Sequence, residues 1–389
     1  MKKTVVRVGM PPRLRHIGVG LALGMLMPVI AQAQSVGESC SRDLEALPGF
    51  ILENDAGGRE LLALRGESAL ASALQTARAE AAQAQDEKAC MASLSAYLRA
   101  WRKGHLWIDT QIKPEAPADA PAEEEGASPV PSKDPTLRML SPRTALLTLR
   151  SFAPPQREIL QKLLDTHRKA LQQRPNWIID VRYNEGGTDT SFMPLLPWLS
   201  SGDISTVGVE WLSTPANIRA QEQVCARFLP GDQDCIALSG KLVARLRQVA
   251  PGNYAQLDDM AINYSRTPLQ SGPRPQKVAV LMDRDCGSSC EQFLLTVRQS
   301  FAVKLVGRPS FGALDYSNVR PTDLPSGQRQ LWYATSRSRR LPTMPVDAFG
   351  VLPDIALPAP ADDAAAEAEV QQVKRWLESG RLQAAPLSR

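Results

Sequence analysis

The spacing of apolar residues along the chain changes several times, and each change marks a different kind of segment. An unbroken apolar run, Ile17 to Ile30, comes first. Leu44, Leu47, Ile51 and Leu52 then precede an Ala-rich stretch, Leu70–Cys90, that runs into MASLSAYLRAW with few turn signals. This composition predicts a helical region over 34–103. Gly104-His105 interrupts it, and LWIDTQI reads as a strand over 104–113 that joins the core. Residues 114–135 carry almost no large apolar side chain. Such a segment cannot offset its own ordering entropy and is expected to be a low-complexity loop or linker.

Beyond it, strands and helices alternate. TALLTLRSF reads as a strand, REILQKLLDTHRKALQQ as an amphipathic helix, and NWIIDVRYN as a buried strand ending in Glu185-Gly186-Gly187. A second unit runs from KVAVLMDRD through the helix SSCEQFLLTVRQS to VKLVG, and a ribbon follows around QRQLWYATS. This order predicts a layered α/β core over 136–358 with a largely parallel sheet. Reacting groups in such sheets gather at the carboxyl ends of strands. The tail, 359–389, contains DDAAAEAEVQQVKRWLES, which reads as an amphipathic helix.

The N-terminus changes the reading of charge. Five Lys/Arg and no acid precede or flank the first apolar run, which ends in Ala31-Gln32-Ala33, a small-x-small cleavage pattern. Residues 1–33 are therefore expected to be a signal peptide, with Met10 as a second candidate start. The run is shorter than the roughly 20 residues needed to span a bilayer, so no stable membrane insertion is expected after cleavage. The chain is +4 overall, and losing those five positive charges leaves −1. The basic balance thus gives no argument for nucleic acid, and no basic patch with interleaved aromatics appears later. An exported, periplasmic or secreted chain with six cysteines suggests disulfides. Proximity favours Cys225–Cys235, then Cys40–Cys90. Cys286 and Cys290 could bridge tightly, or simply pack as two small side chains under a turn. The cysteine spacings do not resemble a zinc site, and neither a metal nor a cofactor is expected.

Two turns could carry chemistry. Ser288-x-x-Glu291 has the form of a capping box at a helix start, and a serine there is also exposed beside backbone N–H groups that stabilise an oxyanion. Gly186-Gly187 could be only a turn with positive φ, or could bring bare N–H groups close to a substrate carbonyl, with the N–H of Ser289 as a further donor.

Five blocks in order carry a resemblance: IIDVRYNEGG, DRDCGSSCEQF, LVGRPSFGALD, LPSGQRQLWYATS and FGVLPDIAL. Together they resemble the core of the tail-specific (C-terminal processing) serine peptidase family. The matching positions are Asp180, Arg182, Asn184, Gly186 and Gly187, then Ser288 and Glu291, then Gly350, Val351, Pro353 and Asp354. The resemblance covers about residues 140–358, or 92–358 if SAYLRAWRKGHLWI is counted. It implies a ClpP/crotonase-like layered core, a polypeptide substrate, and Ser288 as nucleophile.

One position departs from the pattern. Members with a Ser/Lys dyad carry the lysine directly after Phe-Gly, where this chain has Ala313. The resemblance then points to the tricorn-like branch, in which a histidine precedes the nucleophile and an acid follows it. His105 would be the base and Asp347 the acid, with Gly186, Gly187 and Ser289 as the oxyanion hole. His167 lies on the amphipathic helix and is expected at the surface. A PDZ domain is not evident, because only 114–135 occupies its usual interval. The cleft would be built from the helical region, the 188–270 segment with Trp198 and Trp211, and the ribbon around Trp332. The other reading is a catalytically inactive relative that binds a peptide or a partner as a scaffold. Oligomeric state is not predicted.

Overall fold

The computed structural model describes residues 35–111, 133–257, 262–265 and 274–381. The predicted signal peptide, and all but the last three residues of the predicted loop 114–135, lie outside them.

The central sheet runs in the order 355–356, 303–307, 277–282, 176–180, 144–148 and 136–139. Every neighbouring pair is parallel except the last, where Thr136–Met139 runs antiparallel to Thr144–Thr148. Alternate residues serve opposite faces. Leu147, Ile179 and Val280 pack with Leu160 and Leu164 of helix Gln156–Thr166 and with Phe293 and Leu294 of helix Ser289–Val297. Leu146, Ile178 and Leu281 pack with Val370, Val373 and Leu377 of the tail helix Asp363–Ser379. A strand covered on both faces needs apolar residues at every position, which is why NWIID and KVAVLM read as continuous runs. Each such fully buried side chain contributes about 1.5–3 kcal/mol.

The N-terminal region forms four helices, Val36–Asn54, Gly58–Arg65, Glu67–Ala82 and Glu87–Trp101. The first and last are joined by the Cys40–Cys90 disulfide. This region lies on a second, antiparallel sheet: Leu44, Leu47, Leu94 and Leu98 share a core with Leu106 and Ile108 of Leu106–Thr110 and with Leu331 and Tyr333 of Arg329–Ser338. In that sheet Arg329–Ser338 is flanked on one side by Tyr316–Asp323 and on the other by Leu106–Thr110, continued by Val209–Leu212. The predicted strand after His105 therefore belongs to this second sheet rather than to the parallel one.

Disulfides also join Cys225 to Cys235 and Cys286 to Cys290. The second bond is possible because the helix starts at Ser289, leaving Cys286 in the turn, where its Cα is 5.3 Å from that of Cys290. One expectation about the cleft is corrected. Trp198 is buried against Trp177, with ring centroids 5.2 Å apart, and is a core residue rather than a cleft wall. Among the described residues no helix is long and apolar enough to cross a membrane.

Candidate active site

Strands Asn176–Asp180 and Lys277–Met282 are adjacent and parallel, so the turns that follow them emerge side by side. After the first, Asp180 and Arg182 form a buried ion pair at 2.7 Å, and Arg182 reaches Glu369 of the tail helix at 2.7 Å. Asn184 shapes the glycine turn: its Nδ2 donates to the Leu149 carbonyl at 3.0 Å, and its Oδ1 accepts from Gly186 N–H at 2.9 Å. Its own carbonyl accepts from Gly287 N–H at 3.2 Å, which stitches the two turns together.

Gly186 has φ 98°, and a Cβ there would stand 2.6 Å from the Gly287 oxygen and 2.9 Å from Ser288 Cβ. Only a bare backbone fits between the turns. Because Gly186 N–H is held by Asn184, its position among the predicted oxyanion donors is that of a spacer. Gly187 N–H and Ser289 N–H make no backbone hydrogen bond among the described residues.

Ser288 sits at φ 57°, ψ −122°, a region sparsely occupied by residues with a side chain, at a cost of about 1–3 kcal/mol. Glu291 holds it there. Half of a capping box is formed: Glu291 Oε2 accepts from Ser288 N–H at 3.1 Å, while Glu291 N–H donates to the Ser288 carbonyl at 2.8 Å and the Ser288 hydroxyl makes no cap bond. The same fully buried carboxylate accepts from Gly312 N–H at 2.7 Å, Ala313 N–H at 2.8 Å and Ser310 Oγ at 2.5 Å. Burial pushes the Glu291 carboxyl up, and these four donors oppose the shift by favouring its charged form. The Cys286–Cys290 disulfide brackets the serine from both sides.

His105 approaches Ser288 from the second sheet, with its Nε2 3.1 Å from Ser288 Oγ. Its Nδ1 hydrogen-bonds the carbonyl of Tyr316. A carbonyl can only accept, so Nδ1 carries the proton and the neutral ring presents the Nε2 lone pair to the hydroxyl. Burial is the main cause that lowers the His105 pKa to about 4, opposed by the Tyr316 carbonyl, with nearby Arg102 lowering it further. The ring is therefore neutral at neutral pH.

Asp347 is placed elsewhere. Its Oδ1 accepts from Leu314 N–H at 2.6 Å and Asp315 N–H at 2.7 Å. Asp315 returns the bond, accepting from Val346 N–H and Asp347 N–H. The partner of His105 Nδ1 is thus the Tyr316 carbonyl, and Asp347 braces the loop that leads to it. Burial, then the neighbouring Asp315 carboxylate, pushes Asp347 up to about 7. His167 is exposed, as expected.

Ala313 explains where the missing lysine went. It is 4% exposed, and a Cβ on Gly104 would stand 2.5 Å from its Cβ. The loop that carries His105 lies directly on Ala313 and fills the space a longer side chain would need.

Residues 143–357, more than half of the chain, match the model of peptidase family S41. The chain belongs to this family. Among curated proteins, none matches. The fold is similar to that of mature CPAF complexed with lactacystin, with TM-score 0.60 and 12% identity over 89% of this chain and all of that one. It is similar to mature CPAF itself at TM-score 0.59 and 12% identity, over 90% of this chain and all of that one. A candidate peptidase of Parabacteroides merdae matches at TM-score 0.53 and 14% identity, again over 90% of this chain and all of that one. At these identities the structures bear on fold alone, and they agree with the layered α/β architecture. Membership in the S41 family makes the chain a serine-type peptidase by kind, as the five sequence blocks suggested.

Among the described residues, no group of His, Cys, Asp and Glu is placed to hold a metal.

Proposed function

We propose that this S41 member is an exported peptidase that hydrolyses peptide bonds in polypeptides, with Ser288 as nucleophile and His105 as its base. The observation that carries the reading is the pair of contacts at one imidazole: Nε2 at 3.1 Å from Ser288 Oγ, and Nδ1 on the Tyr316 carbonyl. That arrangement fixes the tautomer a general base requires. His105 takes the hydroxyl proton as Oγ attacks the scissile carbonyl, and returns it to the leaving amine. The N–H groups of Gly187 and Ser289 are the donors best suited to the oxyanion. Water, activated by the same imidazole, then releases the acyl group. The backbone carbonyl of Tyr316 does the orienting that an acid performs in a Ser-His-Asp triad.

Three disulfides accord with export through an oxidising compartment. The experiment is labelling of the mature protein with a fluorophosphonate, together with turnover of an unfolded polypeptide. Labelling that is present in wild type and absent in Ser288→Ala is the expected result. A folded wild type that neither labels nor cleaves would favour the scaffold reading.

A further inference from the structure

The helical N-terminal region carries a buried ion pair that reaches the loop of the proposed base. Arg102 Nη1 and Nη2 meet the two oxygens of Asp55 at 2.5 and 2.6 Å, and both side chains are almost completely buried. The guanidinium stands over the Tyr316 ring, 5.2 Å from its centroid, and makes two further hydrogen bonds, both to the backbone beside the imidazole. Nε donates to the Gly104 carbonyl at 2.8 Å, and Nη2 to the His105 carbonyl at 2.6 Å. Asp55 is itself anchored on the second sheet, accepting from Ala334 N–H at 3.1 Å and from Gly57 N–H at 2.8 Å.

His105 needs such a hold. Its φ is 55°, a left-handed backbone uncommon for any residue that carries a side chain. Free of constraint, residues 104–105 would relax, and the imidazole would leave Ser288. The other groups facing this loop point elsewhere. Lys103 Nζ donates to the Phe311 carbonyl at 2.7 Å, and Glu60 accepts from the Tyr316 hydroxyl at 2.8 Å. Among the described residues, only the Arg102 fork grips the two carbonyls that define the turn, and its planar geometry matches the Asp55 carboxylate at the same time.

We propose that Asp55 and Arg102 are positioning residues for the hydrolytic reaction, holding His105 in its left-handed turn so that Nε2 stays within reach of Ser288. This inference rests on the Ser288–His105 reading. It makes the helical region part of the catalytic apparatus rather than a detachable cap.

The test compares wild type with Arg102→Lys, which keeps the charge and loses the fork. A second variant, Asp55→Leu with Arg102→Met, removes both charges, so that neither is left buried and unpaired. Far-UV circular dichroism confirms folding, and the rate of fluorophosphonate labelling is followed against pH. A misplacement of about 1 Å can cost roughly a hundredfold in rate, so labelling is expected to fall about ten- to a hundredfold. For a short peptide the loss should fall on kcat, with KM little changed.

The acid limb of the labelling profile should also move. Catalysis needs neutral imidazole, so the wild-type limb lies near the His105 pKa of about 4. A released, hydrated ring returns toward about 6.5, and the limb should rise with it. A purely structural role would lower the unfolding temperature and leave the limb in place. A folded double variant that labels at the wild-type rate, with an unmoved limb, overturns the inference and leaves the Ser288–His105 reading intact. A wild type that takes no label overturns both.

Discussion

The turns that carry Ser288 and His105 pose the same physical problem and meet it in different ways. Each holds a non-glycine residue at positive φ, 57° for the serine and 55° for the histidine. Each is gripped by a buried charged side chain that bonds the local backbone. For Ser288 the grip is Glu291, three residues away on the helix that the serine itself begins. For His105 it is Arg102, also near in sequence, but Arg102 is fixed in turn by Asp55, 47 residues back. The difference explains what each turn shows to a reader of the sequence. A local brace leaves a motif, Ser-x-x-Glu, whereas a brace completed by a distant partner leaves only a lone histidine after a glycine.

The two turns also differ in how they are joined to the fold. The serine turn grows from the parallel sheet and is stitched to the Gly186-Gly187 turn beside it. The histidine turn leads into the antiparallel sheet, and its Gly104 rests on Ala313, in the segment that runs from the parallel sheet to the antiparallel one. Function on this account depends on the alignment of two separately built layers.

Substitutions test the two turns separately. The largest effect is expected at the nucleophile and base themselves. Ser288→Ala should abolish labelling, and His105→Ala should lower peptide turnover by about 10⁶-fold with folding retained, as removal of the base does in a comparable Ser-His hydrolase. Glu291→Gln comes next. An amide offers one acceptor oxygen where the carboxylate serves four donors, so one or more buried N–H groups lose their partner. The expected cost is about 1–3 kcal/mol in thermal unfolding, with a fall in labelling rate beside it. If the serine turn needs no brace, activity will survive that loss of stability.

Asp347→Asn should have the smallest effect. An asparagine oxygen can still accept from Leu314 and Asp315 N–H, so activity should change less than about tenfold. An acid that orients the base directly would cost about 10⁴-fold on the same substitution. The substitution also has a pH signature in stability. Asp347 has a folded-state pKa of about 7, above the ordinary carboxylate value of 3.8. The folded protein thus binds its proton more tightly than the unfolded chain, and this contribution is complete below about pH 4 and lost as pH rises through 7. Asp347→Asn should therefore appear more stabilising, relative to wild type, at pH 8 than at pH 5. No change in that difference with pH would mean that Asp347 is not buried against Asp315 as described.

Much of the fold was legible because buried parallel strands and amphipathic helices leave strong patterns. NWIID, KVAVLM, VKLVG and the tail helix all lie where their apolar residues place them. Thr136–Met139 was not foreseen, since it is an edge strand with mostly exposed side chains and so has no apolar run to betray it. Trp198 was misassigned to the cleft because an aromatic residue in a variable segment looks the same whether it lines a groove or fills a core. At the site, Ser288 and Gly187 were named from motifs, and His105 from the resemblance to the tricorn-like branch. The Tyr316 carbonyl could not be, because a backbone acceptor has no sequence signature. Asp55 and Arg102 were passed over for a related reason: each is an ordinary charged residue in a helical region until the fold brings them together.

The most direct test of the account is the rate at which fluorophosphonate labels Ser288 in wild type and in His105→Ala, followed from about pH 3 to pH 9. The wild-type rate should rise through about pH 4, where the buried imidazole loses its proton, and then stay level through neutrality. The variant should label at least about a thousandfold more slowly, with no such limb. A folded His105→Ala protein that labels as fast as wild type would contradict the claim that this histidine activates the serine.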